Sequence, residues 1–193
     1  GTTIYDDALE YAQRADKGAI KETLGCTGDK VVTVLSSIFT EIQDRRWFIE
    51  NALTAVADQG LKCVVKLHPR EDAETWGRIA SQLGFLKPLV LRDGLWQAIA
   101  AADVVLSWYS TTVLDAPLLH RPVVIMRVPG KNNPESLAGR GGVMIVDGKI
   151  ELSKALQRLM TDREQCEVLV EQGQRLLEEH IHKCDGRAGA RIG

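Results

Sequence analysis

The sequence predicts an α/β fold: a doubly wound, mostly parallel, Rossmann-like sheet followed by C-terminal helices. Short runs rich in β-branched residues alternate with segments of helical periodicity along the chain. The runs are apolar throughout, which is typical of strands that helices cover on both faces. Such alternation needs crossover connections and hence parallel pairing, and right-handed crossovers leave few topologies beyond the doubly wound sheet.

Helices and strands alternate regularly through the first half of the chain. Leu9, Ala12 and Ile20 recur at helical spacing, and Gly25 and Gly60 are typical helix stop signals. Valine-rich runs predict the strands, and a proline ends the second of them. In order, we expect a helix over 6–25, a strand over 30–37, a helix over 45–60, a strand over 61–69, a helix over 72–84, a strand over 87–93 and a helix over 95–103.

The same alternation continues through the second half. The helix that follows the fourth strand contains Pro117, which either kinks it or lies near its first turn. The segment 127–142 has no periodicity, and loops of that length within a domain are often functional. In order, we expect a strand over 104–110, a helix over 112–120, strands over 122–128 and 142–147, and helices over 150–162 and 163–183.

Composition narrows the class of protein. The chain has 193 residues, enough for one domain with a substantial core, and 45% of them are hydrophobic. A formal net charge of −2 argues against binding to nucleic acid, and no apolar run reaches the roughly 18 residues that a membrane span needs. The four cysteines form no C-x-x-C pair, which indicates reduced thiols and a cytoplasmic protein.

Polar residues follow each predicted strand, at the edge of a parallel sheet where ligands bind. Ser36 and Ser37 follow the first strand, and the second ends at His68. Arg92 follows the third strand, and Arg127 follows the fifth. Neither G-x-G-x-x-G after the first strand nor G-x-x-x-x-G-K-[ST] occurs, which disfavours a standard dinucleotide or P-loop site.

The fourth strand ends in three consecutive hydroxyl residues, Ser110, Thr111 and Thr112. A helix that opens there leaves backbone N–H groups unpaired, and hydroxyls beside them would complete a cradle for an anion such as phosphate. Asp115 lies one turn further on, where it suits sugar hydroxyls better than phosphates. The alternative is that Thr111 only caps its helix and that Asp115 only favours the positive end of that helix.

His68 ends a buried strand before a proline, and its ring is therefore expected at the same edge. An imidazole there could donate a hydrogen bond to a phosphate or a hydroxyl, and the alternative is a packed edge histidine. No D-x-D pair and no second cluster of ligands at metal spacing accompany these residues. The sequence therefore implies neither a metal nor another cofactor.

The order of three segments resembles the C-terminal half of GT-B-type glycosyltransferases. These are "VVKLHP" at 64–69, "ADVVLSWYSTTVLDAPLLHRPVVIM" at 102–126 and "DGRAGARI" at 185–192, and the similarity covers roughly residues 30 to 193. Two branches look closest. One is the UDP-N-acetylglucosamine 2-epimerases, and the other is the capsule and teichoic-acid transferases that include the CDP-glycerol glycerophosphotransferases.

The resemblance implies a role for each polar residue at the strand ends. It implies that Ser110, Thr111 and Thr112 bind a diphosphate and that Asp115 contacts ribose hydroxyls. His68 matches the histidine of the family's H-P strand end. The segment around Arg92 would lie near the nucleotide base. The segment from Arg127 to Glu135 is similar to an epimerase segment that runs from an arginine to a Pro-Glu pair.

The resemblance also implies that residues 1–193 form one Rossmann-like nucleotide-sugar-binding domain. In such enzymes a second, N-terminal domain faces it across a cleft, and this sequence lacks that partner. We therefore expect a fragment that is inactive alone, with a UDP- or CDP-type sugar as donor. The expected process is the synthesis of surface polysaccharide or glycolipid.

Departures from the epimerase pattern favour a transferase. Epimerases have a Ser-Gly-Gly turn before two adjacent glutamates, whereas this chain has Ser-Thr-Thr and a lone Asp115. Asn133 stands where an arginine is expected, and the spacing from Arg127 to Pro134 is one residue too long. The alternatives are half of a 2-epimerase-like enzyme and a nucleotide-binding domain without catalytic activity, since fold alone does not fix function.

Overall fold

The architecture was obtained as a computed structural model, which describes residues 4–38, 41–108, 110–131 and 141–181. At positions 4, 5, 111, 180 and 181 it describes the backbone only. The loop residues 132–140 and the motif at 185–192, both used in the resemblance, lie outside the described residues.

Helices and strands alternate as the sequence predicts. The first half contains α1 (Ile4–Arg14), α2 (Lys17–Thr23), β1 (Val31–Leu35), α3 (Ile42–Asp58), β2 (Lys62–Lys66), α4 (Glu74–Gln82), β3 (Leu89–Leu91) and α5 (Leu95–Ala101). The second half contains β4 (Val104–Ser107), a 3₁₀ turn (Thr111–Leu114), α6 (Asp115–Leu118), β5 (Val123–Met126), β6 (Met144–Val146), α7 (Lys149–Thr161) and α8 (Arg163–Ile181).

The six strands form one parallel sheet in the order β3-β2-β1-β4-β5-β6. The predicted fold class, a doubly wound Rossmann-like sheet with C-terminal helices, is confirmed. β1 and β4 are central neighbours, with Val32 beside Val104 and Leu35 beside Ser107. Every residue of both strands is buried, as expected for strands covered on two faces.

Two helical predictions differ from the structure. The helix expected over 6–25 is two helices, because Asp16 leaves helical geometry and its Oδ1 accepts from the amides of Gly18 (2.8 Å) and Ala19 (3.2 Å). That side chain caps α2 and so ends α1. The helix expected over 112–120 is a 3₁₀ turn followed by a single turn of α6, which contains Pro117.

Two apolar layers cover the sheet. On one face α3, α4 and α7 pack against Val32, Val34 and their neighbours, around Phe48 and Trp76. On the other face α5, α6 and part of α8 pack against a second set that includes Leu35. Thr33 faces this second layer and donates from its hydroxyl to the carbonyl of Ala98 (2.7 Å). The buried hydroxyl is therefore satisfied within the core.

The amino edge of the sheet is fixed by one acidic residue. Asp103 accepts from Lys17 Nζ (2.8 Å), from Lys21 Nζ (2.9 Å) and from the backbone amide of Val31 (2.7 Å). Its side chain is only 16% exposed, and these three donors satisfy its charge. Asp103 thereby joins α2 to the starts of β1 and β4.

α8 reaches the second layer by close backbone contact. A side-chain carbon on Gly173 of α8 would lie 2.8 Å from Pro117 Cγ, and one on Gly142, before β6, would lie 2.7 Å from the Cα of Gly173. Gln174 Nε2 also donates to the carbonyl of Pro117 (3.1 Å). Glycine at both positions therefore lets α8 approach α6 and the start of β6.

Among the described residues, Cys26, Cys63 and Cys166 are unpaired thiols. Burial raises the pKa of Cys63 to about 12, so this thiol stays protonated in the core. Cys184 lies outside the described residues. None of the helices that the structure describes is long and apolar enough to cross a membrane.

Candidate functional site

The candidate site is the carboxyl edge of the sheet around β1 and β4. α3, which follows β1, lies on one face, and α6, which follows β4, lies on the other. The chain thus leaves two neighbouring strands in opposite directions and opens a crevice between them. This is the topological switch point at which doubly wound sheets bind ligands.

Serines line the base of this crevice. Ser107, the last residue of β4, donates from Oγ to the carbonyl of Leu35 (3.1 Å) and so closes the gap between the two central strands. Ser36 follows β1 and is 6% exposed, and its backbone amide donates to the carbonyl of Lys66 (3.0 Å). The Ser36 hydroxyl oxygen is buried and has no hydrogen-bond partner among the described residues. A buried hydroxyl without a partner is costly and needs an explanation such as a ligand.

The hydroxyl residues after β4 form a compact cap. Ser110 Oγ lies 2.5 Å from Thr112 Oγ1 and accepts from the Thr112 amide at 3.3 Å. The Ser110 carbonyl accepts from the Val113 amide at 3.3 Å. Ser110 is thus the N-cap of the 3₁₀ turn, a role that the sequence assigned to Thr111. The side chain of Thr111 lies outside the description.

Asp115 opens α6 and turns toward α5. Its Oδ1 lies 3.4 Å from Trp96 Nε1, and the Trp96 ring packs 5.7 Å from the ring of Tyr11 in α1. Burial raises the pKa of Asp115 to about 6, although the Trp96 hydrogen bond opposes the increase. Asp115 therefore changes its charge close to neutral pH.

His68 lies in a tight turn after β2. The turn is closed by the Glu71 amide, which donates to the His68 carbonyl (2.9 Å). The Arg70 amide donates to His68 Nδ1 (3.2 Å), and the His68 amide donates to Glu71 Oε2 (3.1 Å). The half-buried ring is therefore held at the carboxyl edge.

The two predicted arginines lie on opposite sides of the central crevice. Arg92 is exposed after β3, at one margin of the sheet. Arg127 follows β5 and is bound by Asp147, which follows β6, through both oxygens of the carboxylate. The hydrogen bond to Asp147 raises the pKa of Arg127, and Arg127 in turn lowers the pKa of Asp147. Arg127 is thus paired within the protein.

The strand order places the predicted residues in one row. His68 and Ser110 follow β2 and β4, the two strands that flank β1, and are therefore separated by about two strand spacings of ~4.8 Å. Among these residues, Ser110 and Thr112 contact each other directly. In the described segments, no group of three or more His, Cys, Asp or Glu side chains could hold a metal ion.

The sequence missed three residues that shape this edge. Ser36 was noted only by its position, and neither Glu71 nor Trp96 was identified as a site residue. The position of Glu71 three residues after His68 is a turn spacing that could have identified its contact. The Trp96 contact with Asp115 joins separate elements, and no local pattern indicates it.

Solved structures with a similar fold were found by comparison. The C-terminal CMP-Kdo binding domain of WaaA from Acinetobacter baumannii has a TM-score of 0.62 and 17% identity, over 89% of this chain and 98% of that domain. Anabaena Alr3699/HepE in complex with UDP-glucose has a TM-score of 0.67 and 14% identity, over 91% of this chain and 52% of that protein. A putative UDP-N-acetylglucosamine 2-epimerase from Listeria monocytogenes has a TM-score of 0.65 and 16% identity, over 95% of this chain and 53% of that protein.

No family model matches the chain, and no curated protein sequence matches it. The chain spans almost all of the WaaA domain and about half of HepE and of the epimerase. At these identities the comparison establishes the fold. The chain has the fold of the C-terminal domains of GT-B glycosyltransferases and 2-epimerases, and the predicted resemblance is confirmed at that level.

Proposed function

We propose that the chain is the donor-binding domain of a GT-B-type transferase that uses a nucleotide-diphosphate sugar. The observation that carries the proposal is the set of uncharged hydroxyls at the switch point, Ser36, Ser110 and Thr112, with the Ser36 oxygen buried and unpartnered among the described residues. A similar fold solved with UDP-glucose supports this class of ligand, and one named for CMP-Kdo, which carries a single phosphate, supports nucleotide-sugar binding in general.

In this proposal the diphosphate lies over the turn that begins at Ser110. Thr111 and Thr112 contribute hydroxyls that stabilise phosphate charge without adding a cation, while the Thr112 amide donates to Ser110 Oγ (3.3 Å) and becomes available to phosphate only when Ser110 moves. Ser110 and Thr112 hydrogen-bond to each other, and either hydroxyl can be the donor, so we expect one of these groups to rotate when phosphate binds.

The remaining predicted residues extend the site along the same edge. Asp115 accepts hydrogen bonds from ribose hydroxyls in its ionised form, and the segment around Arg92 lies beside the base. His68 and Arg127 contact phosphate or sugar. The hydroxyls and N–H groups at this edge stabilise the charge that develops on the departing nucleotide. An N-terminal domain supplies the acceptor site. The transfer takes place in the cytoplasm, and the sugar becomes part of a surface polysaccharide or glycolipid.

Nucleotide binding by the 193-residue chain tests the proposal. UDP or CDP at millimolar concentration is expected to raise the melting temperature, because a ligand that binds only the folded state stabilises it. The variant Thr111→Ala/Thr112→Ala is expected to weaken UDP binding about 10-fold or more, as measured by calorimetry.

The matched control is Ser81→Ala, since Ser81 is an exposed hydroxyl on α4 that bonds only the carbonyl of Gly77 (2.9 Å). This control is expected to bind UDP as the wild type does. Equal affinity of the double variant and the control would contradict the phosphate site. Absence of any nucleotide-induced shift would favour a domain without nucleotide binding.

The second candidate is half of a 2-epimerase-like enzyme, which the similarity to the Listeria structure favours. Both candidates use the same diphosphate site, but an epimerase eliminates and re-adds UDP without an acceptor. A protein that contains both domains can be incubated with UDP-N-acetylglucosamine alone, which distinguishes a transferase from an epimerase. Epimerised sugar without an acceptor would support the second candidate.

A further inference from the structure

A groove lies between α3 and α4, the two helices that follow β1 and β2. Its volume of about 390 Å³ is within the range of about 300–1,000 Å³ that small-molecule sites occupy. Three arginines, two isoleucines and a threonine line it: Arg45, Arg46, Arg78, Ile42, Ile79 and Thr75. None of the described residues in this lining is acidic. The space is called the α3–α4 groove below.

Arg45 connects the α3–α4 groove to the carboxyl edge of the sheet. Its Nε lies 3.4 Å from Oε1 of Glu71, whose side chain is 5% exposed, and its Nη2 donates to the carbonyl of Asp72 (3.3 Å). Glu71 Oε2 in turn accepts from the His68 amide (3.1 Å) in the turn after β2. The groove therefore adjoins the margin of the candidate site. Arg45 is held there as a fixed positive charge.

The other two arginines keep donors available to a ligand. Arg78 is exposed, has no ion pair in the described segments, and lies with Nη2 3.4 Å from Thr75 Oγ1. Thr75 itself donates to Asp72 Oδ2 (2.8 Å), so its hydroxyl supports Arg78 by accepting. Arg46 Nε pairs with Glu50 (2.6 Å), but both side chains are partly exposed and such a pair contributes little to stability.

The groove also offers apolar contact. Ile79 is buried in its lining, whereas Ile42 at the start of α3 is 88% exposed. A ligand that covers an exposed isoleucine gains free energy from the apolar area it removes from water. Guanidinium groups match the oxygens of a phosphate, which they bind through paired hydrogen bonds. The lining is therefore complementary to a molecule with a phosphate at one end and an apolar group at the other.

We propose that the α3–α4 groove binds an organic phosphate, whose charged group contacts Arg46 and Arg78 and whose apolar part covers Ile42. Arg45 contributes its fixed charge beside them. A site of this chemistry next to a donor site suits an acceptor that carries a phosphate on an apolar chain, and this role as acceptor rests on the proposed function. Binding of the phosphate ester itself rests only on the groove.

Titration of the nitrogen-15-labelled 193-residue chain with hexyl phosphate tests the site. Backbone amide signals are expected to shift at Arg46, Thr75 and Arg78. Inorganic phosphate is expected to shift the same signals but to bind about 5-fold more weakly, because it lacks the apolar contact. Equal affinity for the two would indicate a site for free phosphate and would overturn the assignment to an organic phosphate. Shifts confined to other elements, or none at millimolar concentration, would overturn the site.

Substitution of the exposed arginines tests the charged contacts. Arg78→Gln and Arg46→Gln are each expected to weaken hexyl phosphate binding about 10-fold, because a hydrogen bond to a charged oxygen is lost. Arg78→Lys, which keeps the charge without the paired donors, is expected to lie between. The matched control is Arg163→Gln, since Arg163 pairs with Glu167 (2.7 Å) as Arg46 does with Glu50. Equal affinity of Arg78→Gln and this control would contradict the phosphate contact.

Substitution of Ile42 tests the apolar contact. Ile42→Ser is expected to weaken the binding of hexyl phosphate about 5-fold and to leave that of inorganic phosphate unchanged. The side chain is exposed, so the fold and the melting temperature are expected to be those of the wild type. The same loss for both ligands, or no loss for either, would show that Ile42 does not contact an apolar group.

Competition with UDP separates this site from the proposed donor site. Saturating UDP is expected to leave the affinity for hexyl phosphate unchanged, and Arg78→Gln is expected to bind UDP as the wild type does. Displacement of hexyl phosphate by UDP would show that the groove holds nucleotide phosphate and would overturn the inference. If UDP does not bind but hexyl phosphate shifts the groove signals, the proposed function fails with the acceptor role, while the organic-phosphate site stands.

Discussion

Burial of the Asp115 carboxyl makes the stability of the protein depend on pH below neutrality. Burial raises its pKa to about 6, so the folded protein retains this proton to a higher pH than the unfolded chain does. The free energy of unfolding therefore decreases as the pH rises from about 4 to about 6. In the proposed function, the charged carboxylate is nevertheless the form that would accept hydrogen bonds from ribose hydroxyls.

We predict that Asp115→Asn removes this pH-dependent loss. Its free energy of unfolding is expected to exceed that of the wild type by roughly 1–2 kcal/mol at pH 7.5, after allowance for partial solvent access, and to match it near pH 4. Urea denaturation at several pH values measures the difference. Asp58→Asn, an exposed change at the end of α3, is the control. Parallel pH curves for Asp115→Asn and the wild type would contradict the buried charge.

Individual site residues were predictable only where a strand end marks them. Ser110 and His68 each follow a buried valine-rich run, and a parallel sheet brings all such ends to one edge. The ion pair between Glu71 and Arg45 was not predictable, because Arg45 belongs to a separate helix. Asp115 was assigned to sugar hydroxyls, but its neighbour Trp96 and its burial come from the packing of α5 against α6.

At the scale of elements, the start of β6 and the middle of α8 are held together by two glycines. Gly142 has a φ of 78°, and a side-chain carbon there would lie 2.7 Å from the Cα of Gly173. Backbone atoms cannot move aside as a flexible side chain can, so α8 would have to shift away from α6.

We predict that Gly142→Ala lowers the free energy of unfolding by about 2–4 kcal/mol, through both steric conflict and the left-handed backbone. Gly60→Ala is the matched control, because Gly60 has a φ of 63° but nothing within 4 Å of the added carbon. That variant carries only the backbone cost of about 1 kcal/mol. Urea denaturation of both variants separates the two contributions, and equal losses would show that the contact between Gly142 and Gly173 is unimportant.

Local sequence patterns predicted the type of each element better than they predicted where it begins and ends. Periodicity continues from Leu9 to Ile20, but the side chain of Asp16 bonds two amides and ends the first helix within it. A short polar side chain can compete with the helix in this way, and periodicity alone does not reveal which option is taken. Pro117 similarly lies in a single α-helical turn that follows a 3₁₀ turn.

At the scale of the whole molecule, the alternation of strands and helices was enough to predict the fold class. The order of the strands was not predictable, because all six are short and mostly apolar and no residue specifies its neighbour. Contacts between distant segments decide the order. Among them is the hydrogen bond that the Val31 amide donates to the Asp103 carboxylate at the amino edge.

Acid stability of the molecule is expected to depend on Asp103. Burial raises its pKa, but hydrogen bonds from Lys17, Lys21 and the Val31 amide outweigh that effect and hold the pKa at about 2. The contribution of the charged Asp103 to the free energy of unfolding is fully present above about pH 4 and is lost as the pH falls toward 2. We predict that Asp103→Asn lowers the free energy of unfolding by about 2–3 kcal/mol at pH 7.

Urea denaturation at pH 7 and at low pH checks this prediction. The difference between Asp103→Asn and the wild type is expected to shrink steadily below pH 4. Asp29→Asn is a suitable control, because Lys21 Nζ donates to the backbone carbonyl of Asp29 (2.6 Å), which the substitution keeps. A constant difference at all pH values would show that charge on Asp103 does not matter.

The order of the strands also bears on how a nascent chain avoids aggregation. β1, β2 and β3 can pair as they leave the ribosome, since each crossover between them is local. The other edge of β1 stays unpaired until β4 has been synthesised, because Val31 and Asp103 are 72 positions apart. Until then a five-residue apolar strand, Val31–Leu35, presents unpaired amides and carbonyls, the kind of edge that other chains and chaperones capture during synthesis.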